Sequence, residues 1–422
     1  MAVGDEMYAL VERLYPICRS ITGDGVRTTL AALRDHIPLE LREVPTGTRV
    51  LDWTVPKEWN IRDAYIKAGS GERVVDFRES NLHVVGYSVP VHERLPLSAL
   101  LERLHSLPER PDWIPYRTSY WNETWGFCLP HNRLAELADG EYEVHIDSTL
   151  DHGHLVYGEL LLPGASDDEV LISTHVCHPS LANDNLSGIA LAVWLAKRLA
   201  ERPTRYSYRL LFVPGTIGPI TWLAHNEDGI GRIRHGLVLT LLGRPGSFVY
   251  KRSRRGAAEI DRVAAHVLAG VGELRDFDPY GYDERQYCSP GFDLPVGRLT
   301  RAPHGEFPEY HTSADDLDLI RPDTLAESLA TAEAMIDVLE GNRVYVNLSP
   351  KGEPQLGRRG LYGSVGGKDR REHELALLWV LSLSDGDHSL LDVAERAGVS
   401  FTVVRRAADA LLEHGLLEER DC

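Results

Sequence analysis

The chain has 422 residues, 43% of them apolar and 26% charged, and a formal net charge of −18. That length implies two or three domains, and the composition is that of a globular protein. So acidic a chain argues against nucleic acid or an anionic membrane as the main partner.

The first residues, MAVGDEMYALVERLYPICRS, carry acids early and no apolar core long enough for a signal peptide. No apolar run reaches the length of a membrane span. The five cysteines (Cys18, Cys128, Cys177, Cys288, Cys422) are scattered with no CxxC pair, which points to free thiols in a reducing cytoplasm.

From Asp5 to His36 the spacing predicts two helices joined by the turn-rich ICRSITGDG. From 49 to 125 short β-like runs (VLDWTVP, RVVDF, LHVVGYSVPV) alternate with Gly, Pro and Asn, and five tryptophans gather there. This region is expected to be an inserted, β-rich domain. Residues 1–48 and 126–343 are expected to form one α/β core. YEVHIDSTL, LVYGELLLPG, EVLISTH, YSYRLLFVPG and GLVLTLLG read as its strands, with helices between them, which gives a mixed sheet covered on both faces. Residues 344–367, rich in Gly and Pro, read as a linker.

From 368 to 422 the helix, Gly turn, helix spacing is that of a winged-helix unit. From Arg371 to Cys422 acids outnumber bases about two to one, and only Arg405 and Arg406 sit on the recognition helix, so DNA is not the expected partner. Leu375, Leu378, Trp379, Leu381, Leu411, Leu412, Leu416 and Leu417 offer much apolar surface for so small a unit. Packing on the core or homo-oligomerisation is expected.

The chemistry concentrates in LISTHVCHPSLANDNLSG, Leu171 to Gly188: a buried strand, a polar loop and a helix. Ligands bind at such strand ends in open α/β sheets. Imidazole and carboxylate there suit zinc, or they hold the loop and cap the helix. His178 reads as a loop hydrogen-bonder, and Cys177 as a buried filler or a thiolate zinc ligand. Ser187 lacks the frame of a nucleophile elbow. A second His, His311, follows Glu309 and Tyr310 on a loop before the last core helix.

The combined pattern, strand-His, then Ala-x-Asp-Asn-x-Ser-Gly, then Tyr-His-Thr-x-x-Asp, resembles the di-zinc aminopeptidases. YPICRSITGDGVR, DWTVPKEWNI, SYWNETWGFC, CHPSLANDNLSG, YKRSRRG, DERQYCSPG and EYHTSAD resemble one branch more closely: bacterial aminopeptidase-like proteins with an inserted β domain and a C-terminal winged helix. The resemblance implies an amide- or peptide-cleaving hydrolase with zinc on His175, Asp184 and His311. A peptide-like, aminoacylated or acidic small molecule is the implied substrate, with Asn185, Arg244, Asp283, Tyr287 and Tyr310 beside it.

The family's base, a Glu, is expected at the position held by Gly215, and a further acidic ligand at the position held by Arg244. Glycine can neither carry a proton nor bind a metal, and an arginine would be repelled by zinc but could receive an anion. At most one zinc is therefore expected. The base is unassigned, with Glu309, Tyr310 and Arg244 as weak catalytic candidates and Asp283, Glu284 and Glu306 as substitute acids. The alternative is a catalytically degenerate member that binds a ligand or partner.

Overall fold

The computed structural model describes residues 2–362 and 368–420. The Gly-rich end of the expected linker and Cys422 lie outside them. The chain divides into two compact units, Met1–Ala258 with Val271–Ala330, and Glu259–Gly270 with the chain from Thr331 onward.

The first unit is built on an eight-stranded sheet. Its order is Glu40–Pro45, His154–Leu162, Ser207–Val213, Glu169–His175, Ile233–Leu239, Val296–Thr300, Phe248–Lys251, Gly272–Arg275. The strand Glu169–His175 is central and pairs in parallel on both sides. Its Val170, Leu171 and Ile172 are at most 1% exposed, as a strand covered on both faces requires. The helix Gly188–Ala200 that follows is buried almost all round, with Lys197 and Arg198 at its outer end. Antiparallel strands close the sheet towards Glu40–Pro45, where parallel crossovers stop.

A separate four-stranded antiparallel sheet has the order Arg73–Asp76, Glu58–Lys67, Glu141–Asp151, Val91–Pro96. This corrects the expectation that YEVHIDSTL belongs to the α/β core. Tyr142, Val144, Ile146 and Ser148 are buried and alternate with partly exposed residues. Such alternation makes a strand with one covered face, unlike the continuous apolar run of a central strand. Phe127–Cys128 likewise pairs with Leu104–His105, so strand pairing that begins before 125 continues past it.

The second unit contains the helices Lys368–Leu383, Leu390–Ala397 and Phe401–Glu413. Ser389 and Asp392 form a capping box at the start of the second, and Gly398, at φ 66°, ends it. The expected linker is corrected at its start. Val344–Asn347 is the middle strand of a three-stranded sheet, between Asp385–Ser389 and Leu417–Glu419. Tyr345, 5% exposed, anchors it. Leu381, Leu411, Leu416 and Leu417 are buried within this unit, which uses much of the apolar surface counted above, while Leu375 stays 44% exposed.

Candidate functional site

The central strand delivers His175 to its carboxyl end, and the chain then loops through Cys177 and His178 to Asp184, Asn185 and the helix start. Asp184 is fully buried. His175 Nε2 lies 2.8 Å from its Oδ1, His178 Nδ1 3.2 Å from the same oxygen, and His311 Nε2 3.0 Å from Oδ2. His311 arrives from the loop before the helix Pro322–Gly341, at φ 54°. The sequence-derived trio therefore meets at one point, and His178 joins it.

Each part of this loop is held from behind. Asp315 accepts hydrogen bonds from the Asn183 and Asp184 amides, at 2.6 and 2.9 Å. The Asn183 side chain accepts from the Gly243 and Arg244 amides. Asn185 donates to Thr174 Oγ1 and the His175 carbonyl, so it locks the loop and does not face a ligand. Ser187 Oγ donates to the Asn183 carbonyl and accepts from the Leu242 amide, which uses up the hydroxyl. Arg19, 2% exposed, reaches in from the N-terminal segment and donates to the His178 carbonyl at 2.7 Å.

The electrostatics suit a cation. Burial pulls the His175 imidazole down to about 4 against the attraction of Asp184, and burial also lowers His311. Burial alone would raise the Asp184 carboxyl, but the His178, His175 and His311 rings outweigh it and hold the group well below the usual range. Burial thus favours neutral rings at His175 and His311 beside an ionised Asp184. His175 Nδ1 is buried without a hydrogen-bond partner, and Asp184 Oδ2 has only His311 Nε2 beside it. His175, His178 and Asp184 hold their ligand atoms within 4.8 Å of one another. Nitrogen and oxygen donors with orphaned atoms of this kind fit zinc.

The other half of the site is different. A Cβ added to Gly215 would lie 2.0 Å from the Tyr282 hydroxyl. The Tyr282 ring lies 4.1 Å from His175 and stacks on His304 at 4.9 Å and 4°. It fills the volume that an acidic side chain at 215 would need. Cys177, its thiol pushed up to about 12 by burial, touches Tyr282 and the Gly215 amide. Asp283 is buried, accepts from the Thr216 amide at 2.7 Å, and is pushed up to about 8 by burial.

The remaining sequence candidates spread out. Arg244 turns its guanidinium to Glu309, at 3.8 Å, and over the Phe307 ring. Tyr310 stacks on His311 with ring centroids 3.9 Å apart. Tyr287 is corrected as a substrate contact: it is a core residue, its hydroxyl 2.9 Å from Ser173 Oγ. Glu284 pairs with Lys251 and Arg298, and Glu306 with Arg275. None of these acids lines the cavity of about 370 Å³ that opens beside the imidazoles. Its walls include Trp53, Tyr116, Tyr120, Trp121 and Tyr282, together with Cys177, His178, Gly215 and His311. Of the residues the sequence reading missed, Asp315 was legible as the last position of the Tyr-His-Thr-x-x-Asp pattern. Tyr282 had no signal in linear spacing.

A family described as "Domain of unknown function (DUF4910)" matches residues 8–342, and a winged helix-turn-helix family matches 343–419. The chain belongs to the first of these families. It is 52% identical to a protein of Clostridium acetobutylicum named "Putative polysaccharide biosynthesis protein with aminopeptidase-like domain", across 98% of this chain and 96% of that one. A solved structure described as a "putative peptidase" of the same organism superposes with a TM-score of 0.95 at 51% identity, covering 99% of this chain and 96% of the other. The zinc aminopeptidase BSAP of Bacillus subtilis shares the fold, with a TM-score of 0.57 at 12% identity over 79% of this chain and 94% of that one. The chain is thus an aminopeptidase-like α/β protein with a C-terminal winged helix. Among the described residues no helix is long and apolar enough to cross a membrane.

Proposed function

We propose that this protein is a hydrolase that uses one zinc ion to cut an amide or peptide bond in a small peptide-like or aminoacylated molecule. The observation that carries this reading is Asp184, buried and met by the nitrogens of His175, His178 and His311, two of which, His178 and His311, line the neighbouring cavity. His175, Asp184 and His311 would hold the metal, with His178 as a further nitrogen beside them. Zinc, when bound, lowers the pKa of a water and polarises a carbonyl. The protein's own part is to favour the neutral rings of His175 and His311 by burial, to fix Asp184 through Asp315, and to shield the reacting carbonyl with Tyr116 and Tyr282. Hydrolysis joins the water oxygen to the carbonyl carbon, breaks the C–N bond and sends a proton to the leaving nitrogen.

Arg244, which stands where the further acidic ligand is expected, supports the count of one, and the Tyr282 phenol fills the space that an acid at Gly215 would need. The same observation favours a second reading, a member that binds its ligand without cleaving it. The Clostridium relative's name ties that protein to polysaccharide biosynthesis, so amide-bearing sugars join aminoacylated molecules as substrates to try. The reading also carries a cytoplasmic homo-oligomer that binds neither nucleic acid nor membrane. The free thiols of Cys18, Cys128, Cys177 and Cys288 and the acidic balance support this.

The test is zinc per chain after purification without chelator, with amide hydrolysis followed as the metal is removed and returned. One zinc per chain and activity that tracks it support the reading. Two zinc ions overturn the count. Full activity in a metal-free chain overturns the chemistry, and no cleavage of any amide by a zinc-loaded chain leaves the ligand-binding reading.

A further inference from the structure

The cavity's mouth is aromatic to an unusual degree. Trp53, at the hairpin Arg49–Val50 and Trp53–Thr54, is 37% exposed, and Trp121, from a distant loop, is 49% exposed. Their rings meet edge to face, with centroids 5.2 Å apart. Water-facing tryptophans brought together from two segments serve a ligand better than they serve the fold, because each leaves a large apolar face unburied.

The aromatic surface continues inward. Tyr120 and Tyr116 join through their hydroxyls at 3.0 Å, and the Tyr116 ring lies 5.3 Å from His178 and 5.0 Å from His311. One wall therefore runs from solvent to the imidazole cluster.

Charge decides what this wall admits. No Asp or Glu is among the described residues that line the cavity, and Arg117 stands at it. Asp184 is enclosed by its imidazoles. A substrate with a free α-ammonium would find no carboxylate to replace its water, and Arg117 would repel it. The group that enters is uncharged at nitrogen, as an acylated nitrogen is. It also needs flat apolar faces for the tryptophans and polar edges for the tyrosine hydroxyls, Thr118 and Arg117. A pyranose ring has this make-up: C–H groups on its faces and hydroxyls around its rim.

We infer that the cavity beside Asp184 takes a pyranose ring bearing an N-acyl group, with the ring against Trp53 and Trp121 and the amide towards His178 and His311. This rests on the hydrolase reading for the amide, adds the ring, and narrows the substrate to one whose nitrogen is acylated, in place of a free aminoacyl group.

The experiment is calorimetric titration of the purified, zinc-loaded full chain. The probes are the methyl glycosides of N-acetylglucosamine, N-acetylgalactosamine and N-acetylmannosamine, the methyl glucoside without the amide, and leucinamide with its free amine. We expect at least one N-acetylated glycoside to bind about tenfold more tightly than the amide-free glucoside and leucinamide. Trp53→Ala and Trp121→Ala should each weaken that glycoside about fivefold to tenfold, Trp121→Tyr should restore most of the loss, and zinc content should not change.

Binding of none of the three N-acetylated glycosides overturns the inference. So does leucinamide binding as tightly as they do, or glycoside binding that both alanine variants leave unchanged. A glycoside that binds through the tryptophans without amide cleavage removes the hydrolase reading and keeps this one. Cleavage of aminoacyl anilides at unchanged kcat/KM in both tryptophan variants does the reverse.

Discussion

On one side of Asp184 three imidazoles converge on a single carboxylate, and on the other Gly215 and Tyr282 place an aromatic ring where acids are expected. The electrostatics of the two differ. The imidazole side keeps a charge and supplies lone pairs, so it can lower the energy of a cation. The tyrosine side has only a phenol whose proton burial holds firmly in place. Glycine at 215 and the ring of Tyr282 thus exchange one volume for another, while the cluster around Asp184 stays intact.

The largest expected effect breaks the imidazole side. Asp184→Asn should weaken zinc binding by more than about 10³-fold, beyond the 10–100-fold typical of losing an outer partner. Competition with a chromogenic chelator measures it, and an unchanged affinity would show that Asp184 is no ligand.

The next effect lies on the acid-poor side and depends on pH. Burial raises Asp283 to about 8, whereas an unfolded Asp titrates near about 4. Between those values the folded chain keeps a proton that the unfolded chain has lost. Its contribution to stability is therefore full below about pH 4 and falls as pH rises towards about 8. Asp283→Asn should remove this dependence and be the more stable protein at pH 8, by on the order of a few kcal/mol. Urea unfolding of both proteins from pH 5 to 8 checks it; parallel curves would rule it out.

Gly215→Glu should cost about 1–3 kcal/mol through overpacking against Tyr282, and Tyr282→Ala in the same chain should recover most of it. Glu at 215 alone does not rebuild a base, because its first carbon already meets the phenol. The same unfolding measurement tests both variants. The smallest effect sharpens the role of His178: His178→Gln should weaken zinc about tenfold, the scale of a group that supports the ligands. A loss as large as that of Asp184→Asn would make it a full ligand.

Much of this was legible in the chain. The central strand showed itself as a continuous apolar run, and His175, Asp184 and His311 as motifs of unusual composition. What stayed hidden depends on tertiary approach. Tyr282 lies 67 positions beyond Gly215 and nothing in its neighbours announces the contact. Asn185, Arg244 and Tyr287 are polar residues near the site in sequence whose groups the fold uses for its own support. The strand Glu141–Asp151 was seen as a strand but placed in the wrong sheet, because period-two burial tells which face is covered and not which partner is paired.

The strand Val344–Asn347 also bears on how the chain can be shortened. It takes partners on both sides, Asp385–Ser389 and Leu417–Glu419, and both come later in the chain. A truncation that ends anywhere between the first strand and the second would leave Val344, Tyr345 and Val346 with two unpaired edges, a template for pairing with other chains. Such a shortened protein would aggregate for reasons unrelated to native assembly. A clean cut has to fall before Arg343, so that the strand leaves together with its partners.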